Sequence, residues 1–372
     1  MFIDWLDLYQ DHDHEIAPRE GAFFEVDAIT GEYRQMKQPP ILHKGSYSTS
    51  IQVVVTGSRV RVSGNPSKFN RVDNLFGHSS IDDAVKVFNQ VLLAIGYPPF
   101  TKCRNLHYKQ SKDGTKALSY SDGATIQRID ITENRAAGQG NQSDYLRGLS
   151  TQSLRRSIPQ LYTNGKTVDW KSPKGNARMV YACVYDKAHE INLHQLPKIK
   201  RTSGEDSTEY RYLSKIRDYC LSLGVVRFEQ KLKSEFLRKN KICFWGLFDE
   251  TQLETIHKEF MSIDEKLQVT AMTIESISER LLRLAIVDST RAANVTGMYA
   301  IQWMTGQKFD TNKSQVKIHR ARLRKIGIDI CRPCDLSRHN PVYIRKTQEI
   351  KVSSLPVPDW YQLPQTNFLK VA

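Results

Sequence analysis

A chain of 372 residues, 40% hydrophobic and 25% charged, is long enough for two or three domains and reads as globular. Fifty-four Lys and Arg against 40 Asp and Glu leave a net charge of +14 and a pI near 9.4, which favours a polyanionic partner, nucleic acid ahead of membrane. No stretch nears the roughly 18 uninterrupted apolar residues of a membrane span, the N-terminus lacks the basic region of a signal peptide, and the six scattered cysteines fit a reducing cytoplasm.

Residues 1–10 alternate partly between apolar and polar side chains and are expected to form a strand. His12-Asp13-His14 follows. Many rolling-circle nickases carry a metal-binding histidine pair, but with a bulky hydrophobic residue between the histidines, so an exposed turn is the plainer reading here. Residues 20–65 are β-rich, and Gly57-Ser58 joins strands at 50–56 and 59–63 as a hairpin. Residues 80–93 have helical spacing, with Ser80 as N-cap and Asp82 and Asp83 in the first turn.

Residues 124–132 read as a strand with Ile126, Arg128 and Asp130 on one face, and 143–155 as a helix. Residues 178–190 read as a strand ending in the polar cluster Tyr185, Asp186, Lys187, His189 and Glu190. Residues 196–210 read as a polar loop and 209–222 as a helix stopped by Gly224. Residues 225–232 form another strand. Beyond about 240 the spacing turns helical, at 250–264, 272–290, 291–304 and a basic helix at 313–326, capped by Ser314 and ended by Gly327. The expected fold class is α+β: an N-terminal catalytic domain over 1–240 with a mainly antiparallel sheet, then a helical, basic accessory domain over 241–372. The Cys-x-x-Cys at Cys331 and Cys334 has no second half, so a zinc ribbon is not expected.

Two strands share the pattern Arg-apolar-acid: Arg128-Ile-Asp130 and Arg227-Phe-Glu229. The strand before Glu190 presents Tyr185 and Lys187 at the same spacing. If the three strands are neighbours, one sheet face collects Asp130, Glu229, Tyr185 and Lys187, an inventory suited to metal-assisted phosphodiester cleavage. Carboxylates hold a divalent ion that offsets transition-state charge. A phenol, ordinarily titrating near about 10, needs help to attack. Glu190 joins this site only if the chain turns helical after Asp186. The competing reading is a solvated ladder of surface ion pairs.

The stretches Asn74-Leu-Phe-Gly77, Ile126-Gln-Arg-Ile-Asp130, Val184-Tyr-Asp-Lys187 with Glu190, Val226-Arg-Phe-Glu229 and Pro358-Asp-Trp-Tyr361 occur in one order. In that order the sequence resembles the replication initiators of filamentous bacteriophages, the gene II/X family of rolling-circle nicking and closing enzymes. The resemblance implies a nick in one strand of the replicative form at the origin, with a tyrosine joined to the 5′ end. A host helicase and polymerase then extend the 3′ end, and the displaced single strand is cut and rejoined. The implied nucleophile falls on Tyr185, with Tyr181, four residues earlier, as the alternative. The implied metal ligands fall on Asp130, Glu229 and Glu190. Mg²⁺ is the expected ion, with Mn²⁺ as a substitute, and the host cytoplasm is the implied location.

DNA contacts are expected from Lys171, Lys174 and Arg178 ahead of the central strand, and from Lys317, Arg320, Arg322, Arg324 and Lys325 on the basic helix. That helix would seat on its neighbours through Val316, Ile318, Leu323 and Ile326. The rival functions are a metal-free tyrosine recombinase or topoisomerase-like enzyme and a non-enzymatic DNA-binding regulator.

Overall fold

The computed structural model describes residues 1–17, 21, 23–36, 38–111, 113–115, 117–150, 152, 154–155, 157–171, 179–265, 271–326, 328–332, 350 and 352–366. In chain order the strands are β1 (Phe2–Asp11), β2 (Phe23–Val26), β3 (Tyr33–Met36), β4 (Ile41–Lys44), β5 (Ser50–Thr56), β6 (Arg59–Gly64), β7 (Leu106–Gln110), β8 (Ala117–Ser121), β9 (Thr125–Ala136), β10 (Ile158–Leu161), β11 (Thr167–Lys171), β12 (Val180–Asp186), β13 (Val225–Lys233) and β14 (Ser353–Ser354). Ten of them form one sheet in the order β10-β11-β12-β13-β9-β1-β6-β5-β4, with β14 added beside β9. Every described pairing is antiparallel. The hairpins β2-β3 and β7-β8 stand apart from it. The helices are α1 (Ile81–Ala94), α2 (Gln142–Leu149), α3 (Lys187–Glu190), α4 (Leu196–Ser203), α5 (Thr208–Leu223), α6 (Ser234–Lys239), α7 (Thr251–Glu265), α8 (Ala271–Arg283), α9 (Thr290–Met304) and α10 (Ser314–Arg324). The expected α+β class is therefore the one observed.

Alternation decides which face of the sheet is dry. Leu6, Leu8, Val60, Val62, Ile129 and Ile131 are fully or almost fully buried with Val85, Phe88 and Leu92 of α1. Further along, Val184 and Phe228 pack with Tyr145 of α2 and Phe260 of α7. The intervening residues of β12, β13 and β9 face the other way and are mostly polar. At one end that polar face is closed by a second cluster, in which Ile191, Leu196, Leu213 and Ile216 meet Leu355 and Tyr361 of the C-terminal tail.

Local signals fix several boundaries. Ser80 accepts from the Asp83 amide (3.1 Å) and opens α1 as expected. Gly224 ends α5 at φ +64, and a Cβ there would lie 1.9 Å from the Gly138 carbonyl oxygen, so only glycine fits. Other expectations need correction. Residues 196–203 are helical, not loop: Leu196 and Ile199, three apart, bury against Leu213 and Ile216. The helix expected to run to 155 stops at Leu149, and Arg155 has a left-handed backbone (φ 52). Ile126 lies in the core and not beside Arg128, because a bulge at Gln127 breaks the period-2 alternation. A second bulge, at Asp4 of β1, pairs Trp5 with Asp130.

α8, α9 and α10 gather around Leu281, Ala293, Ala300, Trp303, Val316 and Leu323. Val316, Leu323 and Ile326 are buried as expected, but Ile318 is exposed, with His319 taking the inner position against Tyr299 and Thr296. Ser314 lies inside the first turn; the N-cap is Lys313, which makes no side-chain cap. Gly327 and Cys334 lie outside the described residues. No helix among the described residues is long and apolar enough to cross a membrane.

Candidate active site

β12, β13 and β9 are consecutive in the sheet, so the condition set by the sequence is met. The register lays three rows across them. Tyr185 pairs with Arg227, and Arg227 with Asn134. Cys183 pairs with Glu229, and Glu229 with Thr132. Tyr181 pairs with Lys231, and Lys231 with Asp130. Tyr185, Glu229 and Asp130 thus share one face, stepping diagonally across adjacent strands.

The two Arg-apolar-acid triplets behave differently. Arg128 grips Asp130 with two bonds (2.7 and 2.5 Å), as a ladder pair would. Arg227 makes no ion pair with Glu229 among the described contacts. It is fully buried, donating Nε to Asn134 Oδ1 (2.9 Å) and Nη2 to the carbonyls of Asn74 (2.5 Å) and Leu75 (3.2 Å), with Phe2 beneath its plane. Its Nη1 has no partner among the described residues. The guanidinium is thus buried on the rung of Tyr185 with one fork unmet, where burying a charge without a partner is costly.

Burial pushes the Tyr185 phenol well above its ordinary pKa, and the facing Arg227 opposes that rise. The phenol oxygen lies 3.4 Å from Glu229 Oε2, a nearby proton acceptor. Tyr181 is placed otherwise. Its hydroxyl is donated to Asp169 (3.0 Å), a fully buried acid that also accepts from Tyr162 (3.1 Å) and pairs with Lys171 (2.9 Å). Burial, then Cys183 and Asp169, raise the Tyr181 pKa.

Asp130 is 2% exposed, and its burial raises the carboxyl to about 6 against the pull of Arg128. Lys231 lies between the two acids, 3.0 Å from Glu229 and 4.0 Å from Asp130. Among the described residues no three or more His, Cys, Asp or Glu are arranged to hold a metal ion. The pair Asp130 and Glu229 alone forms a seat where a protein cation already sits. Two carboxylates with waters and phosphate oxygens are what Mg²⁺ commonly takes, so the pair fits such an ion.

The chain does turn helical after Asp186, whose side chain caps α3 by accepting from the His189 amide (3.1 Å). Strand parity therefore ends before Lys187, which leaves the sheet face. Its ammonium, 2% exposed, reaches Glu190 (2.7 Å) and Asn74 Oδ1 (3.1 Å). Burial alone would raise the Glu190 pKa, but Lys187 and the Gln195 amide hold it at about 2. Asn74 also donates to Asp4 (2.7 Å). Glu190 thus belongs to a polar chain running from Asp4 through Asn74 and Lys187, apart from the Asp130–Glu229 pair.

Sequence reasoning passed over Asn74, Asn134, Asp169 and the individuality of Arg227. The signal for Asn74 lay in the Asn-Leu-Phe-Gly stretch, which the structure makes a bracket. Its side chain and carbonyl hold Lys187 and Arg227, and the Phe76 amide donates to Tyr361 (2.9 Å). The Pro-Asp-Trp-Tyr stretch is the other side of that bracket. Tyr361 donates to Asp73 (2.5 Å) and accepts from Arg71 (2.8 Å), while Trp360 packs edge-on against Tyr212 and Tyr219.

The remaining expected residues lie elsewhere. His12 and His14 follow the far end of β1, with the His12 amide on the Ser58 carbonyl, seven residues or about 23 Å along the chain from Trp5 on the Asp130 rung. Lys171 is tied to Asp169, and Lys174 and Arg178 lie outside the described residues. On α10, Lys317, Arg324 and Lys325 are exposed, whereas Arg320 is bound to Asp329 (2.7 and 3.0 Å) and Arg322 leans on Thr296 (3.5 Å).

Two families match the chain, both of the phage replication-associated protein encoded by gene II: its N-terminal family over residues 2–259, and its C-terminal family over residues 281–367. The chain is 52% identical over 322 residues to the gene II replication-associated protein of Escherichia phage If1, covering 87% of this chain and 99% of the relative. No solved structure matches it.

The Lys187–Glu190 pair should behave as a unit. In urea unfolding at pH 7, Glu190→Gln should cost about 3–5 kcal/mol, because it leaves the buried Lys187 ammonium with Asn74 alone, and Lys187→Met should cost less, because Glu190 is partly exposed and keeps Gln195. The double variant should recover most of that loss, whereas additive losses would contradict the pairing. Because the Glu190 pKa is depressed to about 2, the pair's contribution is whole above pH 4.5 and fades as pH falls toward 2. The difference between Glu190→Gln and the unaltered protein should shrink over that window.

Proposed function

The chain belongs to the gene II replication-associated protein family of filamentous phages, and from that premise we propose that it nicks and later recloses one DNA strand at the phage origin through Tyr185. The observation that carries the reading is the Tyr185–Arg227 rung, which sets a nucleophile beside a buried cation with an unmet donor. The Tyr185 oxygen attacks phosphorus, its proton passes toward Glu229, and the P–O3′ bond breaks. The 3′ oxygen leaves and takes a proton from water to become a hydroxyl, and the 5′ phosphate stays on the tyrosine. Arg227 Nη1 meets the charge on the non-bridging oxygens. Attack by a 3′-OH on the phosphotyrosine reverses each bond change and closes the strand, so ligation needs no nucleotide energy source.

Asp130 and Glu229 are the residues that would hold a divalent ion, Mg²⁺ or Mn²⁺. Such an ion, when bound, polarises the phosphate. Tyr181 is disfavoured as nucleophile because its proton is committed to the anionic Asp169 cluster. The free 3′-OH would prime a host polymerase behind a host helicase. We assign the chemistry to residues 1–240 and origin-duplex binding to residues 241–372, through Lys317, Arg324 and Lys325 on the open face of α10.

Incubating the protein with Mg²⁺ and labelled replicative-form DNA of its own phage should give an SDS-stable protein–DNA adduct. Tyr185→Phe should abolish it, and Asp130→Asn and Glu229→Gln should lower its rate at least 100-fold while leaving duplex binding intact. An unchanged adduct in Tyr185→Phe would reject that nucleophile, and no adduct from the unaltered protein would favour a DNA-binding regulator.

Metal binding has its own readout in Mn²⁺ titration of Tyr185→Phe by electron paramagnetic resonance. Protons compete for Asp130 below its pKa of about 6, so affinity should rise by up to about tenfold per unit as pH climbs to 6 and then level. Affinity that ignores pH, or survives Asp130→Asn unchanged, would remove Asp130 from the ion's ligands.

A further inference from the structure

One cavity beside this site has no part in the chemistry above. It has a volume of about 290 Å³ and lies between the β1 bulge, the turn ahead of β5 and the helical run that follows Glu190. Trp5, Tyr47, Lys68, Gln195 and Lys198 line it, and Glu190 forms a wall shared with the Lys187 cluster. At the lower end of the roughly 300–1,000 Å³ range of small-ligand clefts, it has room for one nucleotide and none for a duplex.

Four observations say what it would take. The Trp5 indole is partly exposed, with Arg128 5.2 Å from its ring. Tyr47 has a left-handed backbone (φ 56, ψ 35) that non-glycine residues rarely adopt. Its turn is pinned from both sides: the Gly45 amide donates to the Thr49 carbonyl (2.8 Å), and the Ser46 amide to Asn70 Oδ1 (2.9 Å). The Lys68 ammonium makes no hydrogen bond or ion pair with any described residue, although it stands among Lys187, Lys198, Glu190 and Asp4. Gln195 is 6% exposed and spends its amide N–H groups on Glu190 (2.9 and 2.8 Å), leaving Oε1 buried without a donor among the described residues.

Two aromatic side chains, an unpaired cation and an orphaned acceptor match the parts of a nucleotide. The rings stack on a base, the ammonium meets a phosphate, and the amide oxygen accepts from an N–H on the base edge. A π-helical turn over Ile191–Gln195 connects α3 to α4 and brings Gln195 into this wall one turn after Glu190. We propose that this cavity seats one unstacked nucleotide of the single-stranded DNA, adjoining the phosphate that Tyr185 attacks. The proposal rests on the reading of Tyr185 as the DNA-joining residue and adds to it a place where the strand is held and read.

The test uses the full chain with Mg²⁺ and a set of labelled single-stranded origin oligonucleotides. Each carries one abasic site at a successive position around the nick, and the rate of covalent adduct formation is followed. One position should slow the adduct about 10- to 100-fold, the range expected for losing one stacked base. Trp5→Leu should slow the intact strand and no longer distinguish the abasic one, while Trp5→Phe keeps the distinction; Lys68→Met, which loses the phosphate contact, should slow the intact and abasic strands alike. Duplex binding serves as the fold control. If Trp5→Leu fails to fold, Lys68→Met decides, since its ammonium holds nothing among the described residues. Normal rates at every abasic position, or an intact-strand rate left unchanged by Lys68→Met, would overturn the proposal while leaving Tyr185 in place. A deoxynucleoside monophosphate that binds through Trp5 with no abasic effect would make the cavity a separate effector site and would also overturn it. No adduct with either the intact strand or replicative-form DNA would remove the Tyr185 reading and the cavity's role together, and an adduct with replicative-form DNA alone would overturn only the cavity's role.

Discussion

The Arg227 guanidinium is the constraint on which the rest of the polar face depends. A charge taken out of water must be met by fixed partners. Here they come from three parts of the chain: Asn134 on β9, the carbonyls of Asn74 and Leu75, and the Phe2 ring on β1. Meeting that charge therefore fixes the Asn74–Gly77 bracket against the sheet. The bracket in turn holds Lys187 and Asp4 through the Asn74 amide. From outside it is clasped by Tyr361, nearly 290 residues further along the chain. The C-terminal tail is thus structurally continuous with the site, through hydrogen-bonded side chains and through the apolar cluster that takes in Leu355 and Tyr361.

How far the sequence carried depends on the kind of signal. Period-2 alternation located β5, β6, β9 and β13, and capping residues located the start of α1 and the end of α5, because those signals are local and strong. The grouping of Asp130, Glu229 and Tyr185 on one face also followed from alternation, given adjacent strands. Strand order itself is a tertiary property that no local pattern encodes. Bulges at Asp4 and Gln127 shift the alternation by one residue and leave no mark in composition, which is why Ile126 was expected on the polar face. The same limit hid the difference between Arg128 and Arg227. The triplets are alike in sequence, yet one sits at a partly exposed position beside Trp5 and the other under α3 and the Asn74 bracket. α4 was read as loop because Lys198, Lys200 and Arg201 outnumber its two apolar anchors, and those anchors matter only once α5 is beside them.

Two tyrosines four residues apart on one strand have unlike surroundings, and the difference is electrostatic. Tyr185 lies on the Arg227 rung with a carboxylate 3.4 Å away, in the direction a departing proton can take. Tyr181 points its proton into Asp169, a fully buried acid shared with Tyr162 and Lys171, where further negative charge is disfavoured. The same strand thus carries one phenol on the rung of a buried arginine with an unmet donor, and one on the rung of Lys231 whose hydroxyl is held by a buried acid. On this contrast rests our proposal that Tyr185, and not Tyr181, bonds to phosphorus.

The direct measurement is the position of that bond. Protein joined to a short single-stranded origin oligonucleotide would be digested with nuclease and protease, and tandem mass spectrometry would locate the residual nucleotide on the peptide spanning β12. The account predicts the phosphate on Tyr185. A phosphate on Tyr181, or on a tyrosine outside β12, would contradict it.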